Sequence, residues 1–240
     1  MQYIKKMINK LIRYTGYQLI QVPYSKRKIK SGAYQWLKDQ NIMSVLDIGA
    51  NEGQFAKIIT QILPDAQVYS FEPLKSCYEK FQSNFNGNNR VEIFNYALGD
   101  VEEETLINKN EFSATSSIIN TTDFLIEAFP FSGKVTKEKI IIKRLDDVRE
   151  KLSLQKQILM KIDVQGFELN VLKGAKNSLQ DVKLIIIETS FFELYQDQPL
   201  FKDIYNFLIQ HGFNYFGCFE QIIDSRDGKV LQSDSIFIKN

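Results

Sequence analysis

Val45-Leu46-Asp47-Ile48-Gly49-Ala50-Asn51-Glu52-Gly53-Gln54-Phe55 passes from a short apolar run through an acidic, glycine-spaced turn into an amphipathic segment. The pattern predicts a strand, a loop and a helix. Gly49 and Gly53 suit a loop whose backbone takes angles that a side chain resists and that comes close to a ligand, and the helix starting near Gly53 offers its first unpaired N–H groups there. Dinucleotide loops use G-x-G-x-x-G to seat a pyrophosphate on the helix N-terminus. Here only two glycines four apart are present, so no pyrophosphate is demanded.

Val68-Tyr69-Ser70-Phe71-Glu72-Pro73 is a second β-rich run, closed by Glu72. That carboxylate lies about 20 residues beyond the glycine loop, the separation at which an acid meets ribose hydroxyls in βαβ nucleotide sites. A ribose without a diphosphate is the implied ligand. S-adenosylmethionine fits, since it joins adenosine to a zwitterionic methionine and carries no phosphate.

Outward from this unit, β-rich runs and helical patterns alternate: strand 44–48, helix 53–63, strand 67–71, helix 74–85, strand 91–94. The order βαβαβ implies a parallel sheet. Residues 96–157 break the rhythm with polar stretches, Ser113-Ala114-Thr115-Ser116-Ser117, Phe129-Pro130-Phe131 and the β-rich Lys139-Ile140-Ile141-Ile142-Lys143. Such an insertion is where substrate specificity usually resides. The alternation resumes with a strand at 158–163, a helix at 168–179, a strand at 184–188 and a helix at 200–210 closed by His211-Gly212. Two last β-rich runs, 213–223 and 235–239, are joined through Asp227-Gly228, which predicts an antiparallel hairpin. The expected fold is α/β, a Rossmann-like, mostly parallel seven-stranded sheet with an antiparallel C-terminal hairpin. Residues 41–240 form its domain, and 1–40 a helical arm.

The length of 240 residues accommodates one such domain. No apolar stretch approaches the ~18 residues of a membrane span, and Lys5, Lys6, Lys10 and Arg13 interrupt any signal-peptide core, so a cytoplasmic protein is expected. Cys77 and Cys218 lack metal or disulfide spacing and are expected to be buried or half-buried thiols. The formal net charge of +1 conceals an asymmetry: residues 1–38 carry nine Lys/Arg and no Asp/Glu, against 21 basic and 29 acidic residues in 39–240. Ile4, Met7, Ile8, Leu11 and Ile12 recur at helical spacing among the basic residues. Packing of that stripe on the body is the favoured reading; peripheral contact of residues 1–30 with an anionic membrane at its inner face is the other. The acidic body argues against nucleic acid as a partner.

These ordered motifs resemble the FkbM-type methyltransferases, from about Val45 through Tyr195. Asp47-Ile48-Gly49-Ala50-Asn51-Glu52-Gly53-Gln54-Phe55 is similar to the family's cofactor loop, Phe71-Glu72-Pro73 to its ribose-binding strand end, and Asn95-Tyr96-Ala97-Leu98-Gly99 to the turn beside the adenine. Lys143-Arg144-Leu145-Asp146-Asp147 precedes the most family-specific segment, Lys161-Ile162-Asp163-Val164-Gln165-Gly166-Phe167-Glu168, followed by Val171-Leu172-Lys173-Gly174-Ala175. The family often carries Glu where this chain has Gln165. The resemblance implies S-adenosylmethionine-dependent methylation of an oxygen, with Asp47, Gly49, Ala50, Asn51, Gly53, Phe55, Glu72, Pro73, Asn95, Ala97 and Asp163 around the cofactor. The acceptor would be a hydroxyl of a sugar, glycan or glycan precursor, or alternatively of a polyketide or other secondary metabolite. An NAD-dependent oxidoreductase is the rival from another class, disfavoured by the missing glycine fingerprint.

Methyl transfer requires the acceptor to be held in line and relieved of its proton. Asp163 ends a central strand, where ligands of open α/β sheets sit. With Glu168 and Glu188 it makes a set of candidate catalytic carboxylates. A protein-only site is preferred to one in which the three hold a divalent cation. Glu168 has an equal claim to a structural place at a helix start, Glu188 could pair with Lys161 or Arg144, and His211 is assigned to helix closure rather than to chemistry.

Overall fold

The computed structural model describes residues 34–110, 113–129, 135–224 and 226–239. The amphipathic arm, with its packing and membrane readings, lies outside them apart from its end, where Tyr34 leads into a short 3-10 turn, Gln35–Gln40, with Leu37 buried.

Strand β1 (Ser44–Ile48) is buried at all five positions. Such a strand must be paired on both sides and covered on both faces. It lies parallel to β2 (Gln67–Phe71) and to β7 (Ile158–Ile162), with Asp47 beside Ser70 and Lys161. Outside these lie β3 (Val91–Phe94), β8 (Val182–Ser190), β10 (Val230–Ile238) and β9 (Asn214–Ile223), giving the order β3-β2-β1-β7-β8-β10-β9. β10 runs antiparallel to both β8 and β9.

Alternate strand residues feed two cores. Val45, Val68, Leu159, Leu184 and Ile186 pack with Ala56 and Ile59 of α1 (Gln54–Ile62) on one face. Leu46, Met160, Ile162, Ile185 and Ile187 meet Val171 and Leu172 of α5 (Glu168–Gly174) and Ile204 and Leu208 of α6 (Phe201–Gln210) on the other. Helix α2 (Lys75–Asn84) buries Cys77 and Phe81. The period of two in the strands thus supplies both layers of a doubly wound sheet.

The insertion builds a second sheet from β4 (Ala97–Leu98), β5 (Glu103–Asn110) and β6 (Val135–Lys143), ordered β4-β6-β5. It also contributes α3 (Asp123–Ala128), capped by the Thr122 hydroxyl, and the short α4 (Leu145–Val148).

Three expectations are corrected. The helix expected over 168–179 stops at Gly174 and is followed by a separate turn, Ser178–Asp181. The Asp146 carboxylate accepts from the backbone N–H of Asn177 (3.0 Å) and Ser178 (2.8 Å), so the chain restarts there instead of continuing. The last strand begins at Val230, earlier than expected, because the turn closes tightly: Asp224 N–H donates to Lys229 and Gly228 N–H to Asp224. Cys218 is exposed, lying on the edge strand β9, whereas Cys77 is buried. No helix among the described residues is long and apolar enough to cross a membrane.

Candidate active site

A cavity of about 650 Å³ opens at the carboxyl ends of β1, β2, β7 and β8. This is the position at which open α/β sheets bind ligands. Of the residues expected around the cofactor, Asp47, Gly49, Ala50, Asn51, Phe55, Glu72, Pro73, Ala97 and Asp163 line it, while Gly53 and Asn95 stand behind it. Gly53 precedes α1 with φ 91°, and a Cβ there would lie 2.5 Å from the Phe85 ring. At Gly49 (φ 80°) a Cβ would meet the Asp163 carbonyl at 1.9 Å. Both glycines adopt the left-handed backbone that the sequence implies. Their missing side chains make room for neighbouring protein segments, however, rather than directly for a ligand. Asn95 donates through Nδ2 to the carbonyls of Glu72 (3.0 Å) and Pro73 (2.9 Å), fixing the end of β2.

Glu72 is buried, with Oε2 accepting from Asn51 N–H at 2.8 Å and Oε1 from Leu74 N–H at 2.9 Å. Burial raises its pKa to about 7 against the pull of those two donors, with Asp47 and Asp163 adding to the rise. Each oxygen retains a lone pair, so the carboxylate can tie the two loops together and still accept from a diol. Asn51, itself left-handed at φ 48°, is held from above by Ser113, whose hydroxyl donates to Oδ1 at 3.1 Å.

Asp47 lies at the cavity floor with both carboxylate oxygens buried and without a hydrogen-bond partner among the described residues. Burial lifts its pKa to about 6, Lys161 opposes that rise and Asp163 adds to it. A buried, unpartnered carboxylate at a ligand cavity calls for a cationic or N–H-bearing guest. S-adenosylmethionine carries an ammonium and a sulfonium, and a diol for Glu72, so the residues present fit it.

At the strand ends, Lys161 Nζ pairs with Asp163 Oδ2 at 2.8 Å and lies 5.8 Å from the centre of the Phe55 ring. Burial works against charge at both partners. At Asp163, though, the Lys161 charge and the hydrogen bonds from Lys161 and Gln165 outweigh it and hold the carboxyl below its ordinary value. At Lys161, Asp163 and Asp47 likewise outweigh burial and keep the ammonium protonated.

Glu188 has the opposite environment. Burial, then Asp163, Glu168 and Asp234, push its pKa well above the ordinary carboxylate value, with Lys161 a smaller opposing influence. Gln165 and Gln232 both donate to its Oε2, at 2.8 and 2.9 Å. Glu168 does not line the cavity. Its Oε1 accepts from Gly166 N–H at 3.0 Å and Val164 N–H at 3.3 Å, so the carboxylate is spent on the start of its own helix.

Several lining residues carry little sequence signal. Lys161 is an exception, since two residues along a strand place it on the face of Asp163. Tyr195, Gln232, Ser233 and Asp234 reach the cavity from segments whose patterns speak only of fold. Arg144 lies near Asp147 (3.6 Å) and Asp146 (3.9 Å), not Glu188. Residues 113–116 of the insertion, with Leu125 and Phe129, cover the cavity.

The sheet order, the antiparallel last strands and a cavity at the carboxyl ends of the parallel strands define a Rossmann-like methyltransferase fold. A solved Klebsiella pneumoniae structure described as a candidate O-methyltransferase shares it, with a TM-score of 0.51 at 12% identity over 99% of this chain and 90% of that one. Residues 47–215 match the family described as "Methyltransferase FkbM domain", and the chain belongs to that family. It is a methyltransferase, with S-adenosylmethionine as cofactor. The chain is 30% identical over 173 residues to the 2-O-methyltransferase NoeI of Sinorhizobium fredii, covering 68% of this chain and 70% of that protein. It is 27% identical over 143 residues to the hexuronic acid methyltransferase AglP of Haloferax volcanii, covering 59% of this chain and 54% of that protein.

Proposed function

We propose that the protein methylates a hydroxyl of a sugar, glycan or glycan precursor, with Glu188 as the group that takes the hydroxyl proton. The observation that carries this reading is the contrast at the strand ends: one cavity carboxylate held ionised on Lys161, the other held by amides alone. The names of NoeI and AglP support the sugar as acceptor.

Bound in the cavity, S-adenosylmethionine supplies a methyl group on a positively charged sulfur. Glu72 would hold the ribose hydroxyls, with Asn51 fixing that carboxylate, and Asp47 would meet the ammonium. Ala97 and Pro73 would bound the adenine. Asp163 offers a permanent negative charge beside the reacting centre. Glu188, held well above an ordinary carboxylate chiefly by burial, has the stronger proton affinity that a general base requires.

Other lining residues are of the kind that bind hydroxyls: Thr115, Ser116, Gln232 and Ser233. The charged lining among the described residues is acidic, with Glu220 and Asp234 beyond the four acids above and Lys161 already paired. Like charges across a binding surface are costly, so an uncharged or amino sugar is favoured over a uronate. The test is S-adenosylhomocysteine release with matched hexoside, hexosamine and hexuronate acceptors, products checked by mass spectrometry. Methylation of the first two above the third is expected. Turnover confined to phenolic or polyketide hydroxyls would overturn the sugar reading.

A further inference from the structure

Gln165 touches both acids of the strand ends. It stands at φ 55°, directly before Gly166 at φ 97°, so two consecutive left-handed residues turn the chain between β7 and α5. Its Nε2 donates to Asp163 Oδ1 and to Glu188 Oε2, both at 2.8 Å. Its Oε1 accepts from the Tyr195 hydroxyl at 2.7 Å, and its backbone carbonyl accepts from the Ser117 hydroxyl at 2.6 Å. A side-chain amide has two N–H donors and one carbonyl. All of these are used here, and the chemistry of the partners fixes the orientation: the ionised Asp163 carboxylate only accepts, so the amide nitrogen faces it and the carbonyl is left to accept from the Tyr195 hydroxyl.

The surroundings hold this geometry. Tyr195 is 1% exposed, and a Cβ on Gly166 would lie 2.6 Å from Ile119 Cδ1 and 3.1 Å from Tyr195 Cβ, so the turn is packed against the tyrosine. The Tyr195 loop is in turn tied to the insertion, with Thr122 N–H donating to Leu194 and Gln196 N–H to Asn120. Glu188 is faced by Asp163 and Lys161 from β7, Glu168 from α5, Asp234 from β10 and Tyr195 from the loop after β8. Lys161 makes its ion pair with Asp163. Gln165 and Gln232 together converge on Oε2 of Glu188, which assigns the acceptor to Oε1.

We propose that Gln165 is the positioning residue that separates the two acids: its single amide anchors Glu188 as proton acceptor and keeps Asp163 on Lys161, with Tyr195 and Ser117 as the brace. The inference rests on the acceptor-hydroxyl reading above. It adds that the neutrality of this side chain matters. A carboxylate here would set a third negative charge between the two, whereas an amide donates to each and favours the ionised form of both.

The test compares Gln165→Met, Gln165→Glu and Tyr195→Phe with the wild type in three measurements. These are S-adenosylmethionine affinity by calorimetry, the pH dependence of kcat, and titration of the Glu188 side-chain carboxyl by ¹³C NMR in protein loaded with S-adenosylhomocysteine. Gln165→Met should keep cofactor affinity within about twofold, lower kcat at pH 7 about tenfold or more, and move both the acidic limb and the Glu188 midpoint up by about one unit, the size of one charge-assisted hydrogen bond. Gln165→Glu should move the midpoint the same way through like-charge repulsion. Tyr195→Phe, which leaves the amide in place but unbraced, should give a smaller shift of the same sign. Because the carboxyl titration needs no acceptor, it reads the bridge even if the methylated molecule is not a sugar. An unchanged Glu188 midpoint and acidic limb in both Gln165→Met and Tyr195→Phe would overturn the proposal.

Discussion

Asp163 and Glu188 lie one position beyond the paired Ile162 and Ile187 of neighbouring parallel strands, yet their proton affinities are driven apart. Burial raises both. Lys161 wins at Asp163, while at Glu188 the surrounding acids reinforce burial. Removing one member of a largely desolvated pair strands the other charge. Asp163→Asn should therefore destabilise the fold as well as slow turnover, by about 1–3 kcal/mol once the 34% exposure of the Asp163 side chain and the remaining field of Asp47 are allowed for. The double variant with Lys161→Met should recover part of that loss in urea unfolding; strictly additive losses would show that the pair is not coupled. The acids at these strand ends are legible in the sequence, because an acid closing an apolar strand has few other uses. Their division into one acid held below and one held above the ordinary carboxylate range is not, since it depends on Lys161 two residues back and on Tyr195, 30 residues beyond Gln165. Glu168 illustrates the reverse case: the same residue type, one turn later, is consumed by backbone N–H groups at its own helix start.

At the level of elements, the parallel core is legible because its strands are short, largely apolar and punctuated by glycine or acid, which distinguishes them from buried helices by length alone. Strand β5 is not. Its buried positions include Asn108 and Asn110 beside Ile107, so no clean alternation marks it, and its pairing with β6 is set by the sheet it completes. Nor is the break in the helix after Gly174, although the glycine itself stands within a recognisable motif. Its reason is a close approach: a Cβ on Gly174 would fall 1.7 Å from the Gly99 carbonyl oxygen, in the turn that follows β4. The opposing atom is backbone and cannot rotate away. Gly174→Ala should thus cost about 1–3 kcal/mol, toward the upper end, and weaken the docking of the second sheet on α5. Gly87, at φ 80° with open space where a Cβ would stand, is the control; Ala there carries only the backbone strain, about 1–2 kcal/mol. Chemical unfolding of the two variants separates the effects, and equal losses would show that α5 and the β4 turn yield to one another.

Over the whole molecule, the fold holds acids in and beside the cavity above their ordinary proton affinities: Asp47 at about 6 and Glu72 at about 7 in its lining, Glu188 there well above a normal carboxylate, and Glu168 at about 7 behind it, each chiefly through burial. The sign of the linkage follows. Between the ordinary carboxylate range near 4 and about 7, the unfolded chain has released protons that the folded protein retains, so the folded state binds more protons and stability falls as pH rises. Asp163 acts oppositely, but its stabilising ionisation is complete above about 4 and lost only on further acidification. Lys161, held protonated, contributes no slope in this window. The ligand-free protein should accordingly melt at a higher temperature near pH 5 than near pH 8, each pKa unit retained against solvent contributing about 1.4 kcal/mol at most. Cofactor alters the slope. The ammonium and sulfonium of S-adenosylmethionine favour ionised Asp47 and its neighbours, so saturating cofactor should raise the melting temperature more at pH 8 than at pH 5 and release protons on binding near pH 6.5, a release measurable by calorimetry in buffers of different ionisation enthalpy. A flat melting profile between pH 5 and 8, or cofactor binding without proton release, would mean that these carboxyls are already ionised in the empty cavity and that the cationic cofactor meets a preformed anionic floor.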